Sequence, residues 1–319
     1  MTIGIVVAGA GAGLAAFQAL RAVERVARGA IGGFVSFVAL TENGPIRALT
    51  QRGGTATLFT DGETTGVVPP PPIARAKAAA LMSSGPDRPE PLDQFVAVRP
   101  GVGLVSGHRV PNRPGVDGRS LLQATLEAMA AGADAEAAVR AQLARNPDAD
   151  AGLIALDAKG GLFAGNSALV ARRTDLGHAR WVDAETGAAV AVLHNSIHPV
   201  RGLAELAAGV ALDAMNPGDR VDRRVRLAAG VKLRQGPREA LLIDSDDRVV
   251  ALAVVRPELL SGRHAGGVLG FRPEVRCGDR VVGEAVVLPS LTVAAGRVAT
   301  VSGALEAWVG VRQPGPVRG

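Results

Sequence analysis

The sequence predicts an α+β fold: two antiparallel sheets packed face to face, helices on the outside, and a β-rich C-terminal part. Three observations carry this expectation. First, the segments 34–51, 152–165, 179–196 and 239–255 share one shape, an apolar strand, a short polar turn and a second apolar strand. Turns that short join antiparallel strands, because a parallel pair needs a crossover of about a dozen residues or more. Second, the strands are apolar on both faces, the pattern of sheets covered by further layers. Third, residues 119–145 read as a helical pair able to supply such a layer.

Taken in order, TIGIVVA at 2–8 is a short buried strand. GAGAG at 9–13 leads into a helix over 14–28, where Phe17, Leu20, Val23 and Val26 recur at helical spacing and Gly29 can close the last turn. Hairpin 34–51 turns at Thr41-Glu42-Asn43-Gly44. A looser segment reaches PPPP at 69–72, which reads as extended and unable to join a central strand. The Ala-rich stretch 73–85 reads as a helix, and the strands FVAV and GVGLVSG then run into a Pro/Gly/Asn-rich loop. SLLQATLEAMAAG is one helix; Asp134 caps a second, AEAAVRAQLARN, which stops at Asn146-Pro147. Hairpins follow at 152–165, turning on Asp157 to Gly160, and at 179–196. A helix over 202–215 is broken by Asn216-Pro217-Gly218-Asp219. Hairpin 239–255 turns on Asp244 to Asp247, and the rest is Gly- and Val-rich strand and loop with a frayed tail at 313–319. The division expected is a core over 1–215 and a part over 216–319 that completes the sandwich or forms a small subdomain.

Composition narrows the partners. The chain has 319 residues and 47% hydrophobic content, enough for a sizeable core. Its formal charge is +5, but the basic residues are almost all Arg and spread singly, and aromatics are 3% with no Tyr. A single-strand binder needs aromatic platforms for its bases, so no nucleic-acid partner is expected. The lone Cys277 excludes an internal disulfide and a Cys-rich zinc site, and fits a reducing cytoplasm. The apolar run 3–20 lacks a basic region before it and is interrupted by Gln18, so neither signal peptide nor membrane association is expected. A cytoplasmic homo-oligomer is the expectation.

Residues 101–166 run as a GVG strand, a loop, a helix ending in Gly, a second helix, and the hairpin GLIALDAKGGLFAGN. This order resembles a bacterial family of unknown function placed in the N-terminal-nucleophile (Ntn) hydrolase fold, an αββα sandwich. The hairpin FVSFVALTENGPIRALTQRGG is similar to that of asparaginase-type isoaspartyl peptidases, where an apolar hairpin leads to Thr-x-x-Gly-Gly. Here that stretch is Thr50-Gln51-Arg52-Gly53-Gly54. The resemblance covers about residues 32–200 and implies hydrolysis of an amide bond in a small-molecule substrate, including one that bears a carboxylate. The nucleophile would be a Ser, Thr or Cys exposed at a chain terminus, with its own α-amine as base.

In that alignment the nucleophile position falls on Phe34, which cannot attack a carbonyl. Ser36, two residues on, is one candidate nucleophile, exposed by cleavage before it; Thr2, exposed by loss of Met1, is the other. The resemblance gives the backbone amides of Gly53 and Gly54 the oxyanion, with Thr50 beside them, and Arg52 or Arg109 the substrate carboxylate. His108, Arg109 and Asn112 share a loop after a strand, and Asn166 sits at a strand end, positions where sites are common. His108 is the further catalytic candidate, Asn112 and Asn166 further substrate contacts. GAGAG lacks the last glycine of a dinucleotide fingerprint, because position 14 is Leu, so no cofactor is expected. His194 and His198 are four apart, but Pro199 argues against a helix and no third ligand is apparent, so no metal is expected. Asn195 and Ser196 read as turn residues able to line a pocket, and the Asp244, Asp246, Asp247 cluster as a solvated turn. A non-catalytic binding or assembly protein of the same fold, and more remotely a nucleotide-binding enzyme, stand beside the amidohydrolase reading.

Overall fold

A computed structural model of the chain describes residues 1–27, 30–85, 87–183, 186–197, 202–216 and 221–313. It divides into two compact units, residues 1–216 and 217–319.

One-turn helices and a two-residue ladder aside, the first unit runs β1 (Thr2–Ala8), α1 (Ala12–Ala27), β2 (Val35–Thr41), β3 (Gly44–Thr50), β4 (Ala78–Ser84), β5 (Ala97–Arg99), β6 (Gly103–Arg109), α2 (Leu121–Ala130), α3 (Ala135–Arg145), β7 (Ala151–Asp157), β8 (Leu162–Asn166), β9 (Leu176–Val182), β10 (Ala189–Asn195) and α4 (Leu203–Met215). One sheet has the order β9-β10-β1-β4-β2-β3 and a second β8-β7-β6-β5, with every neighbour antiparallel.

The alternation of side chains along β1 sets the layers. Ile3, Ile5 and Val7 face α1 and α4, packing with Phe17, Leu20, Leu203 and Ala207. Val6 and Ala8 face the second sheet, packing with Leu104, Ile154 and Leu156. The far side of that sheet, through Val105 and Leu153, is covered by Leu122, Leu126 and Val139 of α2 and α3. The order is therefore a helix pair, a sheet, a sheet and a helix pair. Ile3, Ile5, Phe17 and Leu20 are wholly buried, each stabilising the unit by roughly 1.5–3 kcal/mol. A charge at Ile5 would break this layer. Asp134 caps α3 as expected, accepting from the amide of Ala137 at 2.7 Å, and Ser120 caps α2, accepting from the amide of Gln123 at 3.1 Å.

One expected helix is a strand. AAALMSS at 78–84 is β4, hydrogen-bonded between β1 and β2. Helix propensity favours Ala and Met, but the central position between two covered faces outweighs it. The small side chains of Ala79 and Ala80 let both layers close on the strand. The proline run is only partly extended: Pro71 and Pro72 open a one-turn helix, Pro71–Ala74, where proline's missing N–H costs nothing. Hairpins 34–51 and 179–196 lie in the first sheet and 152–165 in the second; 239–255 lies in neither.

The second unit is a ten-stranded sheet. Its strands are β11 (Arg223–Ala228), β12 (Lys232–Gln235), β13 (Ala240–Ile243), β14 (Val249–Val254), β15 (Arg263–Ala265), β16 (Glu274–Cys277), β17 (Arg280–Val287), β18 (Leu291–Ala294), β19 (Arg297–Val301) and β20 (Glu306–Arg312). Their order is β11-β20-β17-β16-β13-β14-β12-β19-β18-β15, with β12–β14 and β13–β16 parallel. Its core is Val- and Leu-rich, including Val225, Leu241, Leu252, Val275 and Val309. Among the described residues no helix is long and apolar enough to cross a membrane. Gly29, His198, Pro199, residues 217–219 and the tail from 314 lie outside the described residues.

Candidate functional site

The space between the two sheets of the first unit is apolar along most of its length and polar at one end. Period-2 alternation puts Thr2 of β1 on the same face as Val6 and Ala8, and Asn195 of β10 on the same face as Leu193. It likewise puts His108 of β6 in line with Leu104, and Asn166 of β8 in line with Leu162. Register brings them to one place: Thr2 stands opposite Asn195, and Gly152 of β7 stands opposite both His108 and Asn166.

Glycines let the sheets approach there. A Cβ on Gly4 would lie 2.8 Å from the carbonyl carbon of Gly107, and one on Gly152 would collide with the His108 ring and the Asn166 side chain. Only hydrogens fit between these backbones.

Close approach gives Thr2 partners from both sheets. Its hydroxyl donates to Asn195 Oδ1 at 2.6 Å and accepts from the backbone N–H of Arg109 at 2.6 Å. Arg109 and Ser196, the residues that end β6 and follow β10, both have left-handed backbones, φ 67° and 54°. Such conformations cost a non-glycine residue on the order of 1–3 kcal/mol, and surrounding contacts must fix them. The Arg109 guanidinium forks onto the Asp150 carboxylate, Nη2 donating at 2.9 Å. Ser196 donates its hydroxyl to Asp175 and its N–H to the Asp175 carbonyl, the latter at 2.9 Å. Arg173 also forks onto Asp175, and these bonds hold that carboxyl far below the usual range. Asn195 Nδ2 donates to Ser196 Oγ at 3.2 Å.

His108 lies behind this pair, wholly buried, with Nε2 2.7 Å from Asn166 Oδ1. Asn166 Oδ1 can only accept, so Nε2 carries the proton of a neutral ring. Burial pushes the imidazole down to about 4, opposed in part by Asn166 and the nearby Asn195. Its Nδ1 has no partner at hydrogen-bonding geometry. His108 is thus a neutral group at physiological pH that packs behind Asn195.

Met1 is 54% exposed, whereas Thr2 beside it is only 2% exposed. The α-amine at Met1 is held below its ordinary value, first by burial and then by Arg88 and Arg109.

The structure thus gathers Thr2, His108, Arg109 and Asn166, and adds Asn195, Ser196, Asp150, Asp175, Arg173 and Arg88. It does not gather the others. Ser36 is wholly buried in β2 between Leu49 and Met82, and its Oγ has no hydrogen bond. A break before it would cut a strand paired on both sides. Phe34 is buried against Phe95, ring centroids 4.8 Å apart. Arg52 is exposed and paired with Asp87 at 2.9 Å, and Thr50 hydrogen-bonds to the Arg52 carbonyl at 2.8 Å. The Gly54 N–H donates to the Gly33 carbonyl at 2.9 Å, so it is not offered to an oxyanion. A Cβ on Gly54 would collide with Glu24, whose half-buried carboxylate accepts the Thr55 N–H at 3.0 Å. Gly54 therefore lets Glu24 approach, and a Cβ on Gly53 would collide with Thr57. That carboxylate also lines a cavity of about 450 Å³ with Arg21, Arg25 and Gly66, but its oxygens are already engaged by Thr55. Asn112 binds Gln94 at 2.7 Å in the loop after β6. GAGAG is a strand-to-helix turn whose Gly13 packs 2.8 Å, measured from an added Cβ, against the Ile73 carbonyl carbon.

Of the residues that the motif reading left out, Asp150, Arg173 and Asp175 sit in loops without a pattern to mark them. The signal that was available is the set of strand-interior glycines, Gly4, Gly107 and Gly152, since glycine inside a strand marks a close backbone approach.

No curated protein and no solved structure matches the chain. Two family models do: one described as a domain of unknown function (DUF7259) matches residues 230–306, and one described as a domain of unknown function (DUF6963) matches residues 2–224. The second covers more than half of the sequence, and on that ground the chain belongs to the DUF6963 family.

Proposed function

We propose that the protein is an amidohydrolase of the Ntn type, with Thr2 as nucleophile once the bond before it is cut. One observation carries the reading: Thr2 opens the central strand of a sheet in a helix–sheet–sheet–helix stack, its hydroxyl oriented by Asn195 and Arg109. Ser36, the other hydroxyl candidate, is enclosed in a ladder and has no partner to activate it.

Hydrolysis of the Met1–Thr2 bond leaves a free α-amine beside the Thr2 hydroxyl. That amine stands beside the hydroxyl, where the N-terminal-nucleophile mechanism uses it as the base. The amine takes the hydroxyl proton as Oγ1 bonds to the substrate carbonyl carbon, and the carbonyl electron pair moves to oxygen. The Arg109 N–H, released as Oγ1 moves onto the carbonyl carbon, is the donor nearest that oxyanion, while Asn195 Nδ2 stays on Ser196 Oγ. Collapse breaks the C–N bond, the leaving nitrogen takes the proton from the ammonium, and water then hydrolyses the Thr2 ester to a carboxylic acid. Asp150 and Asp175 act at one remove, holding Arg109 and Ser196 in their strained conformations.

The second reading, a binding or assembly protein of this fold, is favoured by burial: with Met1 in place Thr2 is enclosed and both its hydroxyl bonds are satisfied. Intact mass separates the two. The amidohydrolase reading expects a chain that begins at Thr2 and gains one acyl group from an activated ester. Thr2→Ser keeps that adduct and Thr2→Ala loses it. A chain that retains Met1 and takes no adduct would leave the binding reading standing.

A further inference from the structure

The geometry assigns Arg88 as the residue that binds a substrate carboxylate next to the scissile amide, an assignment that rests on Thr2 marking the reacting centre. Of the arginines around Thr2, Arg109 is forked onto Asp150 and Arg173 onto Asp175. Arg88 has no carboxylate partner among the described residues. The acids nearest to it in sequence are engaged: Asp87 with Arg52, Glu90 with the Leu92 N–H at 3.1 Å and with Gln51 at 3.4 Å. The cluster therefore carries one uncompensated positive charge.

Arg88 is also aimed. Its Nε donates to Ser84 Oγ at 2.9 Å, and Ser84 stands opposite Thr2 in the β1–β4 ladder. Directly opposed residues lie about 4.5–5.5 Å apart at Cα, so the guanidinium reaches the Thr2 neighbourhood. Its Cζ lies over the Phe95 ring, 5.8 Å from the centroid. Gln51 grips its backbone from both sides, Nε2 donating to the Arg88 carbonyl at 2.6 Å and Oε1 accepting the Arg88 N–H at 2.9 Å. The terminal nitrogens carry no hydrogen bond from the protein among the described residues. A guanidinium fixed at Nε, held over a ring and free at both Nη atoms presents the two parallel donors that a carboxylate accepts.

The substrate class follows: an amide with a free carboxylate a few bonds from its carbonyl, as in N-acyl amino acids or side-chain amides of amino acids. The charge excess makes a neutral amide a poor fit. An exposed Arg52, paired on the protein surface, is not needed for this role.

The test is a titration of the full-length protein with N-acetylaspartate and with its neutral dimethyl ester, read by calorimetry and by the Arg Nε–H resonances in ¹⁵N spectra. The acid is expected to bind and to move one Nε–H signal that Arg88→Lys removes; the ester is expected not to bind. Arg88→Lys keeps the charge without the fork and should weaken binding about tenfold, Arg88→Gln more. Ser84→Ala, which frees Nε, should weaken it severalfold, while Arg140→Gln on the outer face of α3 should not change it. Equal binding of acid by wild type and Arg88→Gln, or equal binding of acid and ester, overturns the assignment, as does no binding. Binding without any acyl adduct at Thr2 would retain the carboxylate site and sink the hydrolase reading; an adduct whose formation ignores the carboxylate would do the reverse.

Discussion

Gly4→Ala is the sharpest test of the close approach that creates the site. Residue 4 is an ordinary strand position, with no left-handed backbone to complicate the change. The added methyl would lie 2.8 Å from the Gly107 carbonyl carbon and nearer still to its oxygen. Ordinary carbon contacts begin near 3.4 Å, so the sheets must part by at least about 0.6 Å at this point. Both atoms are backbone in hydrogen-bonded strands, so no side chain can swing away. Overpacking costs about 1–3 kcal/mol, and with two rigid partners the upper end, about 3 kcal/mol, is expected. The control is Gly209→Ala in α4, exposed and with open space around the new methyl, where better helix propensity should stabilise by about 0.5–1 kcal/mol. Hydrogen exchange followed by mass spectrometry on peptides covering 2–8 and 103–109 reads the opening free energy of the strands directly. Gly4→Ala should lower protection in both peptides, and the acyl adduct at Thr2 should be lost with the Arg109 contact. Protection within 0.5 kcal/mol of wild type, a threshold well below the typical core cost, would refute the argument that the sheets meet here.

Two further changes probe one buried and one half-buried ionisable group. His108 is held down to about 4 by burial, against an ordinary value near 6.5. As pH falls through that window the unfolded chain takes the proton first, so stability present above pH 6.5 is lost towards pH 4, by roughly 3 kcal/mol. His108→Gln should flatten the difference between unfolding free energies at pH 7.5 and 4.5; an unchanged slope would contradict the neutral, buried assignment. Burial raises Glu24 above its usual range while the two Thr55 donors oppose this. Thr55→Val removes the hydroxyl donor and should cost about 1–2 kcal/mol at pH 7, with a smaller loss at a lower pH where the carboxyl is protonated. Urea unfolding at the two pH values checks this.

Most strands were legible because each signal was local. An apolar run beside a short polar turn has few alternatives, and hairpins 34–51, 152–165 and 179–196 follow from it. β4 was not legible: Ala78-Ala79-Ala80-Leu81-Met82 lacks β-branched residues and reads as helix until its neighbours are known. The site shows the same split. Thr2, His108, Arg109 and Asn166 each drew notice alone, for a small second residue, a loop, an arginine and a strand end. Their convergence is a matter of register between strands far apart in sequence, which no window of residues contains. Arg52, Gly53 and Gly54 misled because a glycine pair next to arginine looks the same whether it admits a ligand or, as here, the Thr57 side chain and the carboxylate of Glu24. Arg88 went unmarked because what distinguishes it is a missing partner, and that is visible only after every nearby acid has been placed.

The strain at the site's edge bears on what the cluster is for. Arg109 and Ser196 lie at corresponding ends of strands in different sheets, and each is held left-handed by its own arginine–aspartate pair. A fold selected for stability alone has a simpler solution at both positions, a glycine, which adopts that conformation at little cost. What glycine would lose is the side chain: the Arg109 fork on Asp150 and the Ser196 hydroxyl that receives Asn195 Nδ2. Both bonds lead to the atoms that touch the Thr2 hydroxyl, the Arg109 N–H and Asn195 Oδ1. The cost of two strained residues is therefore matched by a fixed orientation of one hydroxyl. Arg109→Gly and Ser196→Gly should leave stability within about 1 kcal/mol of wild type, relief of strain offsetting the lost bonds. Both should slow acylation at Thr2, which a purely structural role for the cluster would not produce.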